Sequence, residues 1–406
     1  MRQDNSWTKD DINSAALKVV LFLISPFISL LYSIKTLNTK STYRVIYFFC
    51  LCFGVCFTVN KIRGNIDFDG VTYRNLFESY INRPSSFFYT ELTEYLKFDS
   101  GLQDIYSDLF AFIVSRFTDN YHIYFLVFAS VFAFFQLRAL RYFSSSHNWK
   151  LNLCGAILLF YFLYNQIFNI NGVRFWTAAW IAVYSMFKIY RDGEQKYYLL
   201  ALTTPLVHGA YWGVVAILLI AFLRKYENLW KWAFFGSIFI GSIMVSLVSA
   251  QASFLPSFLS NKLVIYVERV NEESVGTGYY WLVPLFDTIG MLYTNLLVFI
   301  IIINRKIITK NNRSIFRFLL VWMTMVNFIM AIPAMGGRFI VLAYSIIAYL
   351  WLEMFGTHRY RWIIYLLPIA FSLQIYLLIQ MYFMVIQPEF FIESPIFMLS
   401  NLFTVE

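Results

Sequence analysis

Charge is what this 406-residue chain has least of: 14% of its residues are Asp, Glu, Lys or Arg, where soluble domains carry about 25%. With 59% hydrophobic and 21% aromatic residues, that scarcity excludes an ordinary soluble fold and indicates a polytopic membrane protein, one integral domain over residues 1–406. Cysteine is almost as scarce. Cys50, Cys52, Cys56 and Cys154 all sit in apolar runs with no histidine at ligand spacing, which argues against a disulfide framework or a zinc site. They read as small buried hydrophobes. The first residues, MRQDNSWTKDD, balance acids and bases, and no small-residue cleavage site follows, so no removable leader is expected. No internal repeat is evident. The net charge of +9 is a topology signal in such a chain and not a nucleic-acid footprint.

What is abundant is apolar sequence of membrane length. Runs cover 18–36, 43–60, 121–139, 151–168, 172–190, 197–223, 231–250, 279–304, 315–334, 338–355 and 362–386. Basic links at 35–44, 138–150, 188–196, 224–231, 305–317 and 359–361 belong on the cytoplasmic side by the positive-inside rule. The acid-rich segments 61–120 and 251–278 then lie outside as two extracytoplasmic loops. Within the first, the spacing of 104–117 predicts an amphipathic helix lying on the outer surface.

Both 188–196 and 224–231 are basic, yet a single apolar run joins them. Pro205, His208 and Gly209 lie in its middle, and such residues break helices at membrane depth where the backbone lines a cavity. Two half-helices meeting at His208 restore the parity; one long tilted helix is the alternative. The broken form predicts about eleven or twelve transmembrane or half-membrane helices in an all-α fold.

Arg174, His208, Asp287 and Arg338 interrupt these apolar runs, and each charge costs roughly 2.5–3.5 kcal/mol at mid-membrane. Residues kept at that cost face a polar cavity. Arginine forks suit phosphate oxygens, so Arg174 and Arg338, with Arg63 as a third, are the candidate anion-binding groups. Asparagine amides suit sugar hydroxyls, which selects Asn165, Asn169 and Asn171 in NQIFNINGVR, alongside Asp67 and Tyr73. For the asparagines, an N-rich turn capping two helices is an equal alternative. His208 is the candidate for handling a hydroxyl proton, with Asp287 and Asp69 as substitutes. Asp287 needs a partner at its depth, and Arg174 or Arg338 is expected to supply it. Asp67 and Asp69 lack a third ligand, so no metal site is assigned.

Four patches in order resemble the EpsG/Wzy-type bacterial polysaccharide polymerases. They are Arg63–Asp67–Asp69–Tyr73, NGVR ending at Arg174, LVHGAYW around His208, and GGRFIVLAY from Gly336. Two departures stand out: Phe175 follows Arg174 where the family often has Gln, and Gly-Ala follows His208 in place of Ser-Ala. The resemblance implies a GT-C-like membrane fold with an outward-facing cavity and no cofactor. It further implies glycosyl transfer between undecaprenyl-pyrophosphate-linked oligosaccharides on the periplasmic face of the bacterial inner membrane. Membrane lipids, a chain-length regulator and a flippase are the implied partners. An O-antigen-ligase-type transferase, a lipid-linked glycan transporter and an acyltransferase remain as other readings.

Overall fold

The computed structural model describes residues 7–8, 12–57, 69–97, 104–250, 282–330, 333–355 and 360–403, with backbone alone at 240–250, 284, 333–335, 381–382 and 384–385. Among the described residues all regular structure is helical. The expected first span, 18–36, is instead two short helices, α1 (Ile12–Ile24) and α2 (Pro26–Ser33). Ser25 between them is extended (φ −156°, ψ 124°), and Pro26 opens α2, which suits the first helical position. The Ser29 hydroxyl donates to the Lys18 carbonyl at 2.8 Å, so the two run antiparallel. Thr8 N–H meets the Asn38 carbonyl at 3.1 Å, and the hairpin therefore enters and leaves at one end of the bundle. Lys18, fully buried, donates to Thr39 at 3.1 Å and Ser41 at 2.5 Å; hydroxyls at the foot of the next helix satisfy its ammonium inside protein.

That helix, α3 (Lys40–Cys56), leads to α4 (Asp69–Ile81), α5 (Ser85–Lys97) and α6 (Tyr106–Ser115), then to α7 (Tyr121–Ser144), α8 (Leu153–Phe162) and α9 (Val173–Met186). Four stretches are long and apolar enough to cross a membrane, Tyr121–Ser144, Leu153–Arg191, Leu285–Ile303 and Gly336–Phe355, and the pair Arg361–Ala370 and Ser372–Gln380, bent by 50°, makes a fifth. Leu153–Arg191 doubles back on itself. The Phe162 and Phe187 rings lie 6.2 Å apart, whereas one straight helix would separate them by about 37 Å. A 3₁₀ turn, Ile167–Gly172, reverses the chain between α8 and α9.

The run through His208 also doubles back. After α10 (Tyr197–Ala201) and α11 (Thr204–Val207), His208 is extended (φ −156°, ψ 121°), and a 3₁₀ turn leads into α12 (Trp212–Ile220). Tyr198 and Phe222 stack at 5.5 Å; a continuous helix would put about 36 Å between them. The broken form is the observed one, with His208 at its tip.

The remaining helices are α13 (Glu227–Ala250), α14 (Val283–Ile303), α15 (Arg313–Ile329), α16 (Pro333–Phe355), α17 (Arg361–Tyr365), α18 (Leu367–Ala370) and α19 (Ser372–Val385). The basic links interlock at one end. Tyr43 bonds Ser144 at 2.8 Å, Tyr142 donates to Asp192 at 2.5 Å, and Arg191 donates to Tyr349 at 2.8 Å. Tyr349 in turn donates to Asn312 at 2.9 Å, and Asn148 to the Glu353 carbonyl at 3.0 Å. Glu227 gathers Arg313, Arg317 and Arg305 at 2.8, 3.0 and 3.7 Å. Midway along the bundle, Asn295 and Asn327 exchange amide hydrogen bonds at 3.0 and 3.1 Å, which ties α14 to α15.

The helix expected to lie on the outer surface is turned the other way. In α6 the acidic side faces inward, with Asp108 7% exposed and Asp104 just before it 2%, while Ile113 is 41% exposed. Its acids have partners inside the bundle, so the carboxylates and not the apolar side seek the protein. The second outer segment, 251–278, lies outside the described residues.

If 197–223 is re-entrant, Gln195→Cys and Asn228→Cys label from the same side with an impermeant thiol reagent. Labelling from opposite sides would overturn the hairpin at His208.

Candidate functional site

At the end opposite the basic links, the starts of α4, α9, α12, α14 and α16 carry the polar residues of the apolar runs. Arg174 is the second residue of α9. Its Nη1 donates to both Asp104 oxygens at 3.1 Å, and its Nε donates to the Tyr73 hydroxyl at 3.2 Å. Asp104 is 2% exposed and Arg174 34% on the side chain. One edge of the guanidinium is thus anchored, and Nη2 has no partner among the described residues. The backbone N–H of Gly209, at the tip of the re-entrant loop, also faces the Asp104 carboxylate and favours its charged form. Burial pushes the Asp104 carboxyl above the ordinary aspartate range, and Arg174 and the Gly209 N–H offset only part of that.

Asp69 opens α4 beside this pair. Gly70 N–H donates to Asn171 Oδ1 at 2.9 Å. A β-carbon on Gly172 would lie 3.0 Å from Trp176 and 3.9 Å from Asp69 Oδ2. Glycine therefore lets the Trp176 ring pack closely on the NGVR turn, beside the Asp69 carboxylate. Asn165 and Asn169 are spent on the protein itself. They are 4% and 3% exposed; Asn165 donates to the Trp176 carbonyl at 3.1 Å, and Asn169 donates to Asn165 at 3.3 Å. They shape the turn that aims Arg174. Arg63 and Asp67 lie outside the described residues.

His208 Nδ1 accepts from the Ala210 N–H at 3.2 Å. An acceptor nitrogen carries no proton, so the neutral ring holds its hydrogen on Nε2 and presents a donor. Phe175 stands between His208 and Arg338. Its ring centroid is 5.2 Å from the histidine ring and 5.5 Å from the Arg338 guanidinium carbon. Arg338 is exposed and makes no ion pair among the described residues. The stretch AMGGR lies in the opening turns of α16. Its glycine serves close approach all the same: a β-carbon on Gly336 would sit 2.5 Å from the Met330 backbone.

Arg338 lines a cavity of about 250 Å³ with Asp287, Gln374, Tyr164, Tyr344 and Phe371. Asp287 accepts from Gln374 Nε2 at 3.1 Å. Of the two partners expected for Asp287, Arg174 pairs with Asp104 instead, while Arg338 lines the same cavity as Asp287. Arg174 took Asp104, which reading the sequence had placed on an outer surface helix. The signal was present: Asp104 and Asp108 fall four apart on one side of a short helix whose other side is apolar. Among the described residues no three His, Cys, Asp or Glu side chains converge as a metal site requires.

The EpsG family model matches residues 45–392, most of the chain, and the chain belongs to that family. It is a Wzy-type polymerase-like family, which makes this a membrane protein of the polysaccharide-polymerase type. No curated protein and no solved structure matches the chain.

The Arg174–Asp104 tie sets two expectations. Asp104→Ala lowers stability by about 1–2 kcal/mol, less than the 3–5 of a fully buried pair because Arg174 is one-third exposed; thermal unfolding in detergent measures it. Because the folded-state pKa of Asp104 is raised, the folded protein holds more protons than the unfolded one between the ordinary value and the raised one. Its contribution to stability therefore falls as pH rises through that window. Asp104→Asn removes that slope from a plot of unfolding midpoint against pH.

Proposed function

We propose that this EpsG-family chain joins lipid-linked oligosaccharide repeat units by glycosyl transfer at the end of the bundle opposite its basic links. By the positive-inside rule that end is the periplasmic face of the bacterial inner membrane. The observation that carries this reading is a pair of arginines at one end of the bundle, Arg174 anchored by Asp104 and Tyr73 and Arg338 exposed, beside a cavity that holds the Asp287 carboxylate.

The acceptor is a hydroxyl on one lipid-linked glycan, and the donor is the reducing-end C1 of another, bonded to undecaprenyl pyrophosphate. The hydroxyl oxygen forms its bond to C1 as the C1–O bond to pyrophosphate breaks. The bonding pair leaves with undecaprenyl pyrophosphate, and the hydroxyl proton passes to Asp287. Charge grows on the leaving oxygens, so fixed cations there lower the barrier most. Arg174 offers Nη2 from a frame that Asp104 and Tyr73 hold still, which spares reorganisation in the transition state. Arg338 supplies the second cation, and His208 adds a neutral Nε2–H donor. Arg63 is the further cation, and Asp69, which opens α4, the further acid.

An apolar groove of about 420 Å³ between α2, α3 and α8 ends at Gln166–Phe168, just before Asn169–Arg174 in the chain. Its position supports a path for the polyprenyl tail. A ligase-type transferase would use the same donor groups; the acceptor distinguishes the two.

Arg174→Ala and Arg338→Ala should each lower the polymerisation rate by a factor of about 10²–10³. The assay is the glycan ladder made by purified protein from undecaprenyl-pyrophosphate-linked repeat units. Wild-type chain lengths from either variant would remove the pyrophosphate role. Transfer to lipid A core with no ladder would favour the ligase.

A further inference from the structure

The cavity behind Arg338 has a chemistry that pyrophosphate binding does not use. Asp287 and Gln374 line it, and so does Tyr164, whose hydroxyl has no hydrogen-bond partner among the described residues. Gln374 Oε1 is buried without a partner as well. A buried acceptor left unpaired costs about 1–3 kcal/mol, and such a cost is repaid when a ligand hydroxyl arrives. Two aromatic faces complete the wall. Tyr164 and Tyr344 meet edge to face at 5.3 Å, and Phe371 lies 5.5 Å from Tyr344.

One carboxylate, one amide and one phenol offer donors and acceptors to the hydroxyl rim of a sugar ring, while the rings cover its C–H face. At about 250 Å³ the space falls below the roughly 300–1,000 Å³ of drug-sized sites. It therefore takes one ring and not a chain.

We propose that this cavity is the subsite for the terminal sugar of the acceptor glycan, with Gln374 and Tyr164 selecting it by hydrogen bonds to its hydroxyls. The assignment rests on the glycosyl-transfer reading above. A chain end fits a half-closed single-ring pocket, whereas the interior of a polymer needs a groove open at both ends. Held there, the acceptor hydroxyl lies in the cavity that contains Asp287 and borders Arg338, where the donor's pyrophosphate is bound.

The test uses full-length protein in lipid nanodiscs and the repeat-unit glycan freed from its lipid by mild acid. Saturation-transfer NMR reports which sugar protons touch protein, and a titration gives Kd. Wild type is expected to show contacts concentrated on one terminal residue. Gln374→Ala and Tyr164→Phe should weaken binding by about 10-fold, the size of one or two lost hydrogen bonds. Lys196→Ala, an exposed side chain at the basic end, should bind as wild type does. Tyr164→Phe removes a single oxygen and so answers for the pocket if Gln374→Ala fails to fold. Contacts spread evenly along the glycan, or wild-type Kd in Tyr164→Phe, would overturn the subsite. The two readings separate cleanly. Protein that makes a ladder but binds glycan independently of both residues keeps the polymerase and loses the subsite. Protein that binds the terminal sugar through them but makes no ladder does the reverse.

Discussion

A charge or an unpaired backbone group facing lipid costs several kcal/mol, and that single penalty organises this molecule. It sends the basic links to one end, where Glu227 alone gathers three arginines. It buries Lys18 among hydroxyls. It also dictates where helices can stop inside the bundle. At both Ser25 and His208 one residue takes an extended conformation and its side chain caps the next turn, through Ser25 Oγ to Ile28 N–H and His208 Nδ1 to Ala210 N–H. The chain can reverse at membrane depth because the freed backbone groups are satisfied by the residue that makes the break.

The same rule shapes the site. Arg174 could not sit at the start of α9 without a counter-charge, and Asp104 supplies one from the segment just before α6. That arrangement holds the guanidinium through Nε and Nη1 and leaves Nη2 for a ligand. Arg338 is handled by exposure and not by pairing. One cation is thus preorganised and the other adjustable, which suits a leaving group whose charge grows during the reaction.

Phe175 gives the site its division. A glutamine there, frequent in the family, would bridge the two sides by hydrogen bonds; the phenyl ring instead packs against His208, Tyr211 and Phe339 and faces Arg338. Between His208 and Arg338 it presents a surface that offers no hydrogen bond.

Composition and charge alternation determined the membrane class, the common end of the basic links and the break at His208, because lipid imposes those patterns residue by residue along the chain. The residues that interrupt apolar runs were legible for the same reason, and Arg174, His208, Asp287 and Arg338 do lie toward one end. Partnership was not legible. Whether Arg174 meets Asp287 or Asp104 depends on which helix packs beside α9, and residues 70 positions apart carry no local signal of it. Nor does a run of eighteen apolar residues tell a span from the hairpin of α1 and α2, since hydropathy counts apolar residues without regard to direction. The asparagines show the limit most plainly. NQIFNINGVR looks the same whether its amides face a sugar or their own backbone, and only the turn between α8 and α9 decided that Asn165 and Asn169 face inward.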